Sequence, residues 1–205
     1  MESQSDLILR SNLFLQKARS GGLSESEIAL YLFNLMHIFA QTPGDLHVAS
    51  AQARAAGDQK LAEFLEEKIQ EETGHENWPK ADLNTFPKVT TQELELTDET
   101  RELTQYIHEL AENAPLLYLV YQTFVELITV RGAPDFVTSL EEKCGHSRTR
   151  MTAIVNHQVS DTRHIEEDFE VLDKLLSPKN HSRNILETIE RSAKLVNAVL
   201  ASCAC

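Results

Sequence analysis

Breakers of regular structure are scarce in this chain, with seven glycines and six prolines among 205 residues. That excludes collagen-like and proline- or glycine-rich disordered chains, and it favours helix. Cysteine is scarcer still, at three. Cys144 stands alone, and Cys203 and Cys205 share the terminal Ser-Cys-Ala-Cys, so no disulfide framework and no zinc spacing is present. No segment reaches the roughly 18 uncharged apolar residues of a spanning helix, and Met1 to Asp6 carries no cationic stretch ahead of an apolar one. A membrane span and a secretory leader are therefore not expected, and the cytoplasm is the expected location. Positive charge is in deficit, at 19 Lys and Arg against 32 Asp and Glu, for a formal net charge of −13. Surfaces that neutralise nucleic-acid phosphates or anionic lipid need clustered Lys and Arg, so neither partner is expected.

Several catalytic motifs are missing as well. There is no Gly-rich phosphate loop and no Gly-x-Ser-x-Gly elbow, and His108-Glu109-Leu-Ala-Glu112 lacks the second histidine of a zinc protease.

What is present reads as a single all-α domain over residues 1–205, with a core supported by 41% apolar residues. Ser24 with Glu27 forms a capping box that opens a helix to about Ala40; Pro43 and Gly44 are expected to break it before a second, Ala-rich helix over about Asp45 to Ala56. Gly57-Asp58 starts another, which the pattern carries through Glu71, Glu72 and His75 toward Trp78-Pro79. The stretch from Ala81 to Thr97 reads as a loop. Thr97 caps a helix to about Asn113, and Pro115 opens one that Gly132 and Pro134 are expected to end, followed by a short helix to Cys144-Gly145. Two long helices close the chain, about Arg148 to Leu176 and Asn180 to Ser202, separated by Ser177-Pro178.

Three constellations carry chemistry. Glu126 is the one charge in the otherwise apolar run Pro115 to Val130. Helical geometry places Leu119 and Val130 within about 40° of it, so it faces packed surface. A buried carboxylate must protonate, pair or coordinate a cation, and a salt bridge to a core Arg or Lys is the alternative to a metal. His157, Asp161 and His164, at spacings of four and three, share an arc of about 60° on one helix face and can meet one ion. Glu72-Thr-Gly-His75 repeats the acid-x-x-His unit of Asp161-x-x-His164, the pairing with which diiron carboxylate bundles offer an oxygen and a nitrogen ligand together. Glu72 lies in line with Leu61 and Leu65 and points inward. His37, within the apolar Leu35-Met-His-Ile-Phe39, reads either as a core histidine or as an additional or outer ligand. His47, His146 and His181 read as exposed or capping.

Taken together these segments resemble the heme-oxygenase-like diiron oxidases, relatives of the thiaminase II (TenA-like) and pyrroloquinoline-quinone synthase proteins. Glu71-Glu-Thr-Gly-His75 with Asp82-Leu83, Tyr121 to Glu126, and above all His157-x-x-x-Asp161-x-x-His164 carry the resemblance, which spans most of the chain. It implies a helical bundle of about seven or eight helices. It also implies metal ligands at Glu72, His75, Glu126, His157, Asp161 and His164, with Glu71 an alternative to Glu72. The cofactor it implies is Fe(II), two per chain, with manganese as the other metal suited to oxygen and imidazole ligands. Bridging is expected from Glu72 and Glu126, and the reaction from O2 and a small amine or carboxylic acid. Thiaminases of this fold place a cysteine nucleophile on the helix that here reads Leu117-Tyr-Leu-Val-Tyr-Gln; none is present, against thiamin hydrolysis. The Gly-rich distal helix of a true heme oxygenase is also absent. A metal-free member using the bundle cavity to bind a small molecule or partner is the second reading, and a hydrolase or cofactor-independent oxidase the third. A homodimer stays open. Tyr31, Phe33, Phe39, Tyr118, Tyr121 and Phe124 are the candidate pocket lining.

Overall fold

The computed structural model describes residues 1–176 and 182–204. They form α1 (Glu2–Ser11), α2 (Leu13–Ser20), α3 (Glu25–Ala55), α4 (Gln59–Glu72), α5 (Asn77–Leu83), α6 (Asp98–Asn113), α7 (Pro115–Glu142), α8 (Thr152–Leu175) and α9 (Ser182–Ser202). Short 3₁₀ turns at Thr91–Glu93 and Arg148–Arg150 fill two of the connections, and no strand occurs among the described residues. None of these helices is long and apolar enough to cross a membrane.

The all-helical expectation holds, as do three start signals. Ser24 and Glu27 make a reciprocal capping box. The Thr97 hydroxyl accepts from the Thr100 amide, and Pro115 occupies the first turn of α7, where its missing N–H costs nothing. The expected breaks do not. α3 runs through Pro43 and Gly44, and α7 runs through Gly132 and Pro134 to Glu142, absorbing the short helix expected before Cys144. An internal proline costs a helix about 3 kcal/mol. Here both sides of each proline are anchored: Leu32 before Pro43 and Leu46, Ala49 and Ala53 after it are buried, as are Leu127 before Pro134 and Phe136, Val137 and Leu140 after it. Packing therefore outweighs the local penalty, and the Gln41 amide also bridges to Asp45 across Pro43 at 2.7 Å. Two helices precede Ser24 that the pattern of the sequence does not announce. Ala81 to Leu83, read as loop, is the end of α5. Ser177-Pro178, Asn180, His181 and Cys205 lie outside the described residues.

Apolar side chains gather in two clusters. One joins the second half of α3, α4, α6, the first half of α7, and α9; the other joins α2, the first half of α3, the second half of α7 and the start of α8. Three helices cross from one to the other. In α7 the residues up to Phe124 belong to the first cluster and those from Ala133 to the second; in α8 Ala153 and Ile154 belong to the second and Leu172 to the first. Glu126, His157, Asp161 and His164 fall between, and so does the α4–α5 turn, with Leu65 and Ile69 on one side and Leu83 on the other.

α8 is set in place from outside itself. Its N-terminal residue Met151 offers no side-chain cap. Asp82, at the end of α5 and almost wholly buried, supplies it: Oδ2 accepts from the Ala153 amide at 2.8 Å and Oδ1 from the Thr152 hydroxyl at 2.7 Å. A carboxylate at a helix N-terminus is doubly favourable, because it satisfies free amides and complements the helix dipole. Asp82→Ala should lower the unfolding free energy by about 1–3 kcal/mol, and Asp82→Asn by less, as read from urea denaturation. A loss no larger than that of an exposed substitution would show that α8 is held by its apolar face alone.

Candidate metal centre

α4, α7 and α8 carry a polar seam between the two apolar clusters. α8 contributes His157, Asp161 and His164 on one face, all buried, as their spacing indicates. α7 contributes Glu126, 6% exposed in the middle of a thoroughly apolar helix. α4 ends at Glu72. The Glu72-x-x-His75 unit is thus not on one continuous helix, as the sequence pattern suggests: Thr73 turns extended, Gly74 takes φ +94°, and His75 stands in the turn before α5. The turn still brings the two together, with His75 Nδ1 3.0 Å from Glu72 Oε2.

Two groups of ligand atoms result. Glu72, His75 and His157 form one and Glu72, Glu126 and His164 the other; within each, one donor atom per residue lies within 4.8 Å of the rest. Glu72 is common to both. Asp161 lies between them, its Oδ1 3.4 Å from His157 Nδ1 and 3.9 Å from His164 Nδ1. Aromatic rings hold the imidazoles in place: Trp78 stacks on His75 at 4.0 Å and Phe39 on His157 at 4.3 Å.

Two candidate residues fall outside these groups. Glu71 lies on the outer side, its Oε1 bonded to Arg163 at 2.8 Å and its Oε2 3.2 Å from His164 Nε2. The Arg163 guanidinium donates to the outward Nε2 of His164 at 3.2 Å, beside this carboxylate, and Nδ1 faces the seam. His37 is exposed and its ring meets Phe33 edge-on, so it is neither a core histidine nor part of either group. Among the other histidines, His146 is buried near Phe86 rather than exposed, and His47 is exposed within α3.

Two members of the seam escaped the sequence reading. Lys68, one turn before Glu72, is buried with its Nζ 3.1 Å from Glu126 Oε1 and 2.7 Å from Asp168 Oδ1. Asp168, one turn beyond His164, is fully buried and accepts from the Thr123 hydroxyl at 2.8 Å. The salt bridge weighed as the alternative for Glu126 is therefore present, but it uses one oxygen only. Glu126 Oε2, His157 Nε2 and His164 Nδ1 are buried with no hydrogen-bond partner.

Charge in the seam is unbalanced. Burial, then the charges of Asp168 and Asp161, push the Glu126 carboxyl well above the ordinary range in spite of Lys68. Burial raises Glu72 too, but the hydrogen bond from His75 and the charges of His157, His75 and Lys68 outweigh it and hold Glu72 below its usual value. Burial and Lys68 together lower His164, against the pull of Glu71, Glu72 and Asp161. For Lys68, burial would lower the ammonium, yet Glu126 and Asp168 keep it above its ordinary value. A divalent cation is the group that three unpartnered ligand atoms and surplus carboxylates would accommodate, so the donors present fit a metal.

A cavity of about 160 Å³ adjoins the cluster. Glu72, Glu126, His157 and Asp161 form its polar end, and Tyr31, Leu35, Phe39, Tyr121, Val125, Ile128 and Val199 are among its apolar walls. Among the described residues no Lys or Arg lines it. Of the expected lining aromatics, Phe33, Tyr118 and Phe124 are not part of it, the last two being fully buried core.

Gly74 controls where His75 sits. A side chain meets no close contact there, so the penalty is conformational, at a φ that residues with a Cβ rarely adopt. Gly74→Ala should cost about 1–2 kcal/mol in urea denaturation. An unchanged midpoint would show that the turn relaxes without strain.

Neither a family model nor a curated protein matches the sequence. Solved structures do match the fold. A domain of unknown function with a heme oxygenase-like fold from Shewanella denitrificans superposes with a TM-score of 0.86 at 17% identity, covering 98% of this chain and 88% of that one. A TenA homologue from Pseudomonas syringae gives 0.78 at 13% identity, over 99% and 88%. A CADD-like protein of unknown function from Nostoc punctiforme gives 0.75 at 14% identity, over 99% and 94%. At such identities the likeness is one of architecture, and the architecture of this chain is the all-helical heme-oxygenase-like, TenA-like fold.

Proposed function

We propose that the chain is a non-heme, iron-dependent oxidase or oxygenase that uses O2 on a small organic substrate, of the amine or carboxylic acid class, held in the apolar cavity beside the seam. The observation that carries this reading is the trio of unpartnered, buried ligand atoms, Glu126 Oε2, His157 Nε2 and His164 Nδ1, on residues that group around Glu72. Buried polar atoms in a native fold are normally satisfied, and three in one place ask for an ion. Imidazole and carboxylate without thiolate suit Fe(II) or Mn(II).

Glu72, His75 and His157 would hold one ion and Glu72, Glu126 and His164 the other, with Asp161 between them. When bound, Fe(II) supplies the electrons that activate O2. The residues of the chain do the rest. Glu72, the one residue in both groups, would be the ligand the two positions share. Arg163, itself held by Glu71, keeps the His164 ring oriented from outside, and Trp78 and Phe39 keep His75 and His157 from turning. The aliphatic and aromatic walls exclude water and orient the substrate with its reactive end toward the carboxylates.

Lys68 supports a second reading, since an ammonium already neutralises part of the carboxylate charge and a metal-free binding protein could be built on the same cavity. Metal content separates the two. Anaerobic Fe(II) titration of the first kind of protein should reach about two equivalents per chain, and admission of O2 should change its optical spectrum. His75→Ala and His164→Ala should each leave about one equivalent, whereas Glu72→Ala should lower uptake at both positions and abolish the optical response. Absence of iron uptake by the wild-type chain would establish the metal-free reading.

A further inference from the structure

Lys68 lies on α4 one turn before Glu72, with 3% of its surface exposed. Its surroundings are built rather than incidental. The ammonium spans 3.1 Å to Glu126 Oε1 and 2.7 Å to Asp168 Oδ1, and the Thr123 hydroxyl, one turn before Glu126 on α7, fixes the other Asp168 oxygen at 2.8 Å. Three helices are joined by this chain of contacts. Its effect falls on Glu126, whose two oxygens have opposite surroundings: Oε1 accepts from Lys68, and Oε2 is buried without a partner. To offer both oxygens to cations, Glu126 must give up its contact with a buried ammonium and leave Asp168 alone to neutralise it, and weakening a buried ion pair is unfavourable.

We propose that Lys68 is a positioning residue: it holds Glu126 by Oε1, the oxygen that lies 3.8 Å from His164 Nδ1, and so fixes the carboxylate for the ion shared with Glu72 and His164. Glu126 then serves one position, and Glu72 is the carboxylate common to both. This departs from a symmetric pair of bridging carboxylates and makes the two positions chemically unequal. The Glu72, His75 and His157 position has one carboxylate and two imidazoles; the Glu72, Glu126 and His164 position has two carboxylates, one imidazole and an ammonium bound to Glu126. The inference rests on the metal-binding reading above. Outer partners that orient ligands in this way are worth roughly 10- to 100-fold in metal affinity.

The test is Co(II) titration of the full-length, metal-stripped chain, followed by visible absorption and calorimetry, on wild type, Lys68→Met and Lys68→Gln, with far-UV circular dichroism and melting as folding controls. In Lys68→Met one Co(II) should bind roughly 10- to 100-fold more weakly, while the spectrum and affinity of the other stay as in wild type. Lys68→Gln keeps an N–H donor for Glu126 and should recover part of the loss, which loss of charge alone would not produce. Unchanged or tighter binding in either variant overturns the proposal, because the lysine would then be inert or would compete with the ion. If Lys68→Met does not fold, Lys68→Gln carries the test by the same criterion. A wild-type chain that takes up no Co(II) overturns the metal reading and this inference together; two Co(II) in wild type with unaltered binding in the variants overturns this inference only.

Discussion

Four carboxylates buried in one small volume, Glu72, Glu126, Asp161 and Asp168, set the terms for the rest of the molecule. Their mutual repulsion in a medium of low dielectric has to be countered at close range, since solvent is excluded and salt screens such pairs poorly. Lys68 counters part of it, and the histidines of α8 and the α4–α5 turn another part. The apolar clusters on either side provide the stabilisation that makes so charged a seam tolerable. Without them α4, α7 and α8 would have no reason to approach, and without the seam the clusters would merge.

The site was legible in the sequence where one side chain contradicted its neighbours. Glu126 stands out because nothing else in its run is charged, and His157, Asp161 and His164 because their spacing keeps them on one face. Asp168 continues that same face by one more turn, so periodicity alone reaches it, although His157, Asp161 and His164 already make a ligand set without it. Lys68 gave no such signal. On α4, among Glu66, Glu67, Glu71 and Glu72, a lysine looks like an ordinary surface partner of its neighbours, and only the tertiary approach of α7 and α8 shows that it turns inward. His37 illustrates the reverse, an apolar sequence context around a residue that faces solvent.

The misread boundaries have a single cause. Pro43, Gly44, Gly132 and Pro134 are true local breakers, and a rule that weighs only the local backbone ends the helix at each. Both helices continue because apolar residues on the far side of each break are needed by a cluster that the near side does not reach. In the α4–α5 turn the opposite holds. No cluster requires Thr73 or Gly74 to stay helical, so the chain turns, and His75 reaches Glu72 from a loop instead of from a helix face.

The seam also bears on how the molecule comes apart. α3, α7 and α8 each run unbroken from one apolar cluster to the other, with α7 alone extending from Pro115 to Glu142. Neither cluster can open without unwinding a helix on which the other is built. Two hydrophobic centres joined in this way unfold as one cooperative unit, and the last amides to exchange with solvent are those of the three helices where they pass through the charged layer.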